Sequence, residues 1–312
     1  MTGDLPGDLL GDIYRRCSSP YDRVRFAAVC KSWRAAASCQ PELPAVPLLY
    51  PSTGDGFLDK KAQAYNPEDG GVLRAGLPWF SYGKRVVGSY QGSWVALAAD
   101  DWVEIRNLFT GARAPGKGRI ACTCPASPQF TGKIIITKLV FSKYPTSDDC
   151  ILAAITTGCK IALRTLACSS AGWTTLGCGT GMRLVDIAFS NGELYGLTSD
   201  GMLYKAVISI NESNDKVDIA LHKLEIKIPM MFGARYIFEL GDKLAAAYEV
   251  RPEGRWKART FKVFELVNAQ LSKYTWVEVM SLGDHALFLG PGCCKAVCVS
   301  ASVCLSMHVP RA

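Results

Sequence analysis

The stretch Asp186–Ile208, DIAFSNGELYGLTSDGMLYKAVI, decides the fold of this chain. Apolar and polar residues alternate on both sides of Asn191-Gly192 and again on both sides of Asp200-Gly201, nine residues further on. Alternation of period two is the signature of a half-buried strand, and Asn-Gly or Asp-Gly pairs supply the positive φ that a tight hairpin turn demands. The segment therefore predicts a three-stranded antiparallel meander.

The same grammar recurs along the chain. VVGSYQGSWVALAADDWVEIRNLFTGAR and KIIITKLVFSKYPTSDDCILAAITTGCKIALRTL repeat the pattern of strand, turn and strand, with turns predicted at Gln91-Gly92, Thr110-Gly111, Asp148-Asp149 and Gly158. A later unit runs from Tyr236 to Trp276 through Gly241-Asp242 and Pro252-Glu253-Gly254, and Trp94, Trp102, Trp173 and Trp276 recur among the units. Short strands at regular intervals predict antiparallel sheets repeated around an axis, with room for about five or six blades at roughly 40–50 residues each.

The first forty residues follow a different period. Leu5, Leu9, Leu10 and Ile13 form one helical stripe, with Pro6 in a first turn, and Phe26, Val29, Cys30 and Trp33 form a second at i, i+3, i+4, i+7. Ser18-Ser19-Pro20 separates them, Asp22 is placed to cap the second helix, and Gln40-Pro41 ends the segment. Two or three short helices are too few to bury both stripes among themselves, so another surface must cover them.

Composition bounds the partners. A net charge of +7 over 312 residues is spread from Arg15 to Arg311 without a basic run, which argues little for nucleic acid. In the helical segment Arg23, Arg25, Lys31 and Arg34 would be the reading set, but Asp4, Asp8, Asp12 and Asp22 offset them. The opening residues MTGDLPGDLL do not resemble a signal or transit peptide, and the run Ala286–Val309 is broken by Gly290-Pro291-Gly292 and Lys295, so neither secretion nor a membrane span is expected. The 13 Cys, an odd number, read as reduced thiols.

Catalytic signatures are weak. GARAPGKG, residues 111–118, has phosphate-loop spacing but places Gly118 where a metal-binding hydroxyl belongs, and GCGTGM, residues 177–182, has no helix after it. Of His222, His285 and His308, only His285 has a neighbouring acid, Asp284, and no nucleophile elbow accompanies it. Cys293, Cys294, Cys298, Cys304 and His308 gather near the end without a C-x-x-C pair. Asn211-Glu212-Ser213 reads as a polar loop. No catalytic residue, cofactor or metal is expected.

Taken together, LPGDLLGDIYRRC and DRVRFAAVCKSWRAAA resemble an F-box. That resemblance implies docking on the Skp adaptor of an SCF-type (Skp, cullin, F-box) ubiquitin ligase, through Leu5, Pro6, Leu9, Leu10, Ile13, Val29, Cys30 and Trp33. The remainder resembles the plant F-box proteins with a C-terminal KIB-type β-propeller-like domain, on LFTGAR, SDDCILAAI, WTTL, DIAFSNGELYGLTSDGML, FKVFELV and WVEVMSLGDHALFLG. The expected organisation is a small all-α F-box over residues 1–45, an all-β propeller-like domain of antiparallel blades over 46–290, and a divergent tail over 291–312. Members continue past ALFLG with a further strand pair, whereas this chain turns into CCKAVCVSASVCLSMHVPRA, as a splice variant or shortened gene model would, which puts closure of the ring in question. The implied role is a non-catalytic substrate receptor that joins an unknown protein target to a cullin-RING ligase, in the nucleus or cytoplasm. A scaffold acting without the ligase is the alternative, and a nucleic-acid module a more distant one.

Overall fold

The computed structural model describes residues 5–17, 20–40, 64–65, 72–73, 84–91, 94–99, 102–108, 110–114, 120–121, 135–157, 161–166, 172–176, 183–211, 216–228, 233–250, 260–269 and 273–298. The chain divides into two compact units: Met1–Ser81 with Asp284–Ala286 and Val297–Ala312, and Tyr82–Gly283 with Leu287–Ala296. The predicted turns at Gly92, Gly158 and residues 252–254 lie outside the described residues. So do residues 115–118 of the phosphate-loop-like segment, all of GCGTGM, Glu212, Ser213, Cys304 and His308.

Three helices open the first unit: α1 Gly7–Arg16, α2 Pro20–Ala28 and α3 Lys31–Ser38. Pro6 is the residue just before α1, and Pro20 opens α2, both positions where a missing N–H costs nothing. Asp22, expected as a cap, lies three positions past the cap, within the first turn of α2, where it pairs with Arg25 at 3.8 Å. The second stripe is not carried by one helix. Cys30 is extended (φ −161°, ψ −179°) and breaks the path between α2 and α3, so Val29 and Cys30 sit at the corner while Trp33 folds back onto Phe26. A short pair, β1 Ala64–Tyr65 with β2 Val72–Leu73, completes the described strands of residues 1–81.

The second unit is a series of four-stranded antiparallel meanders. The first contains β3 Arg85–Tyr90, β4 Trp94–Ala98, β5 Trp102–Asn107 and β6 Ile120–Ala121. The second contains β7 Ile136–Phe141, β8 Ile151–Thr156, β9 Ile161–Thr165 and β10 Thr174–Leu176. The third, grown from the opening stretch, contains β11 Leu184–Ser190, β12 Glu193–Thr198, β13 Met202–Asn211 and β14 Lys216–Lys227. The fourth contains β15 Arg235–Leu240, β16 Lys243–Val250, β17 Thr260–Ala269 and β18 Lys273–Glu278. A final hairpin pairs β19 His285–Leu289 with β20 Cys294–Cys298, so the segment read as a divergent tail supplies a strand. Asn191 (φ 50°) and Gly192 (φ 76°) make the predicted tight turn between β11 and β12.

Each sheet buries one face against the next. Val87, Ile105, Leu139 and Leu152 join the first two sheets; Ile155, Leu163, Ile187 and Leu194 join the second and third. Leu197, Leu203, Ile237 and Leu244 join the third and fourth, and Phe238 and Val263 receive Leu287, Leu289 and Cys294 of the final hairpin. This sheet-on-sheet succession is a propeller-like arrangement, and strands covered on both faces, such as Trp94–Ala98 and Ile161–Thr165, are buried along their whole length rather than alternately.

The first strands of the sheets meet at the axis, and three of them share one irregularity. Pairing shifts between Val86 and Gly88 in β3, between Ile136 and Lys138 in β7, and between Leu184 and Asp186 in β11. Such bulges re-aim the following side chain. The residues that follow are Gly88, Lys138 and Asp186. Lys138 and Asp186 form a buried ion pair, and Asp186 also accepts from the backbone N–H of Ile187 and of Ile237, each at 2.8 Å. Burial alone would lower the Lys138 pKa, but the adjoining Asp186 carboxylate outweighs it and holds the ammonium above the usual lysine range. Burial likewise lifts Asp186, opposed by Lys138 and the two amides. The last hairpin reaches the same axis. Cys294 Sγ lies 3.7 Å from Lys138 Nζ and 3.9 Å from Asp186 Oδ2, Cys293 Sγ lies 2.9 Å from Ser89 Oγ, and a Cβ on Gly292 would stand 2.8 Å from the Val86 carbonyl oxygen. The turn that leads into the last described strand thus lies against the first strand of the first sheet.

Candidate docking surface

Leu10, Phe26 and Ala36 form the centre of the helical segment, flanked by Tyr14, Cys17, Trp33 and Ala37. Phe26 is the hub. Its ring meets Tyr14 edge-on at 5.4 Å and Trp33 at 4.4 Å. Side chains also tie the helix ends together: Arg23 Nε donates to the Cys17 carbonyl at 2.7 Å, and Arg34 Nε donates to the Ala27 carbonyl at 3.2 Å. Burial raises the Cys17 thiol pKa, with Asp22 adding to the effect and Arg23 opposing it, so this sulfur is a packing atom and a weak donor to the Ile13 carbonyl at 3.5 Å.

What this small core leaves outside is an apolar ridge. Leu5, Leu9 and Ile13, spaced four apart, are 43%, 47% and 39% exposed, and Val29 at the α2–α3 corner is 59% exposed. Pro6 and Cys30 are exposed as well. Leu10, grouped with the docking stripe in the sequence, is 1% exposed and belongs to the interior, because adjacent helical residues point about 100° apart and only one of Leu9 and Leu10 can face out. Trp33 is half-buried, its ring committed to Phe26 on one side. The ridge therefore consists of Leu5, Pro6, Leu9, Ile13, Val29 and Cys30, with Trp33 at its base.

Three of the cations Arg23, Arg25, Lys31 and Arg34 have internal duties. Arg23 and Arg34 hold carbonyls, and Arg25 faces Asp22. The candidate acid–base pair is also occupied. Asp284 accepts from Cys298 Sγ at 3.0 Å on one oxygen and faces His285 Nδ1 at 2.9 Å on the other, so the carboxylate separates thiol from imidazole. A nucleophile activated by a base needs the opposite order, with base against nucleophile. The hydrogen bond from Cys298 holds the Asp284 pKa below the usual range. Among the described residues no group of three or more His, Cys, Asp or Glu is arranged to hold a metal. Among them, too, no helix is long and apolar enough to cross a membrane.

The KIB1-4 beta-propeller family model matches residues 64–307. The chain belongs to that family. An F-box-like model matches residues 2–43, the helical segment that carries the ridge. No curated protein matches the chain. Among solved structures, it is similar to the β-propeller domain of Cps50 (Swd1) from Myceliophteria thermophila, at 13% identity and a TM-score of 0.40, covering 84% of this chain and 99% of that one. It is also similar to YCF48 from Cyanidioschyzon merolae, at 14% identity and a TM-score of 0.37, covering 78% and 70%.

Proposed function

We propose that this KIB1-4 family chain is a substrate receptor of an SCF-type ubiquitin ligase, docking through its F-box-like helices on a Skp-family adaptor and offering its β domain to a protein target. The observation that supports this most is the exposed ridge Leu5, Leu9, Ile13 and Val29, which lies on the segment matched by the F-box-like model. F-box domains generally bind Skp adaptors, and covering four exposed aliphatic side chains supplies several kcal/mol at roughly 25 cal/mol per Å², before the ordering costs of association.

In this role the chain performs no bond chemistry. Holding a target beside a charged ubiquitin-conjugating enzyme raises the effective concentration of an acceptor lysine, which is acceleration by proximity. The compartments where cullin-RING ligases act, nucleus and cytoplasm, are the proposed locations. Co-purification of the full chain with a Skp adaptor and cullin in reducing buffer tests the proposal. Capture by wild type and loss with Leu9→Asp plus Ile13→Asp is the expected result; failure of wild type to capture the adaptor overturns it.

A further inference from the structure

One end of the sheet domain gathers the first turns of the sheets, and there one aromatic ring stands at right angles to two others. Tyr90 ends β3, Trp94 begins β4 and Tyr144 lies in the β7–β8 loop. Tyr144 is 5.8 Å from Tyr90 at 87° and 6.1 Å from Trp94 at 82°. Tyr144 is 38% exposed and Tyr90 half-buried, so the cluster opens to solvent. Trp94 is 4% exposed, and its Nε1–H is buried without an acceptor among the described residues. An indole N–H removed from water normally finds a partner, and leaving it unpaired is costly.

Carboxylates lie on the turns at this end. Asn191 in the β11–β12 turn donates its N–H to Glu239 at 2.9 Å and its side-chain amide to the Asp242 carbonyl, which places the turns of the third and fourth sheets side by side. Burial raises the Tyr90 pKa, and Glu239 adds to it, so that acid lies within electrostatic reach of the aromatic cluster. Asp148 and Asp149 come from Tyr144's own loop, and Asp148, Asp149, Glu239 and Asp242 are all exposed. The loop's Lys143 is paired with Asp149, and Lys243 with Glu265. An acidic rim on a chain of net charge +7 is a local contrast, and it points to a cationic ligand.

We propose that this end is the target-binding surface and accepts a peptide segment carrying a lysine or arginine side chain, its cation on the exposed ring of Tyr144, with that ring shifting to admit a peptide carbonyl to the buried Trp94 Nε1. The inference rests on the substrate-receptor reading and names the chemistry of the target. Ring faces attract cations, acids favour their approach, and aromatic residues dominate binding where they anchor an interface.

The test titrates the purified full chain into rhodamine-labelled dodecapeptides of alternating Gly and Lys, or Gly and Glu, followed by anisotropy. The lysine peptide is expected to bind and the glutamate peptide not. Tyr144→Ala is expected to weaken binding about tenfold or more, whereas Tyr144→Phe, which keeps the ring face, stays within about threefold. In indole-¹⁵N spectra the Trp94 resonance, assigned with Trp94→Phe, is expected to move when the lysine peptide is added. Because Tyr144 is a partly exposed loop residue, an unchanged melting temperature separates a binding effect from misfolding. No binding, equal binding of both peptides, or unchanged affinity in Tyr144→Ala overturns the inference. Adaptor capture on the same samples separates the two claims: peptide binding without adaptor capture sinks the ligase reading alone, and adaptor capture without peptide binding sinks this inference alone.

Discussion

Lys138 and Asp186, 48 residues apart in sequence and one strand apart at the axis, form an ion pair with side chains only 5% and 2% exposed. Each follows a bulge in the first strand of its sheet, so the pair ties the second and third blades together. A buried pair gains little over an apolar substitute, but breaking it strands a charge. Lys138→Met is therefore expected to lose about 3–5 kcal/mol in urea unfolding, and Lys138→Met with Asp186→Asn, which removes the stranded charge and keeps an acceptor for one of the two backbone amides, to regain part of it. Equal stability of the single and double variants would refute the coupling.

Gly88 occupies the equivalent site in the first sheet, and a Cβ there would stand 2.1 Å from the Leu139 carbonyl oxygen. The obstacle is backbone, which has no rotamer to escape into. Gly88→Ala is expected to cost roughly 1–3 kcal/mol or more by overpacking, while Ala at the exposed Gln91 is expected to cost less than 1 kcal/mol. Thermal unfolding monitored by circular dichroism distinguishes them.

Leu9 and Leu10 differ in one position of sequence and entirely in surroundings. Leu10→Ala is expected to destabilise the three helices by about 2–5 kcal/mol, through lost burial and the cavity left behind. Leu9→Ala should leave helical stability within about 0.5 kcal/mol and weaken adaptor capture. Comparing helical ellipticity with pulldown on both variants reads the two effects separately.

Burial pushes the Cys294 thiol up to about 12 from its ordinary 9.0, against the opposing pull of Lys138. A raised pKa means that the folded state keeps a proton which the unfolded state releases. Its contribution to stability is thus complete below about pH 9 and is lost progressively towards pH 12. The stability difference between wild type and Cys294→Ala is expected to shrink across that window. At pH 8, iodoacetamide should label exposed Cys39 well before Cys294, as followed by peptide mass spectrometry.

At the acid end, the Thr198 hydroxyl donates to Asp200 and holds its carboxyl below the usual value of 3.8. A depressed carboxyl stabilises the fold above that value and ceases to do so as pH falls through the lower folded pKa. Melting temperature should therefore decline more steeply below about pH 4 in wild type than in Asp200→Asn.

Much of the architecture was legible in residue order. Asn191-Gly192 and Asp200-Gly201 specify their turns through local backbone geometry, and period-two alternation marks the strands between them, because both effects act within a few residues. The helical period near Leu9 and Ile13 was readable on the same grounds. Residue order did not reveal which side of that helix faces inward, since Leu9 and Leu10 are equally apolar and Phe26 selects between them. Nor did it foretell that Cys294 would share the axis with Lys138 and Asp186, or that Tyr90, Trp94 and Tyr144 would form one opening. Those arrangements join residues from different blades, and their partners are set by how whole sheets pack and where bulges turn a strand, for which no short window of residues carries a signal.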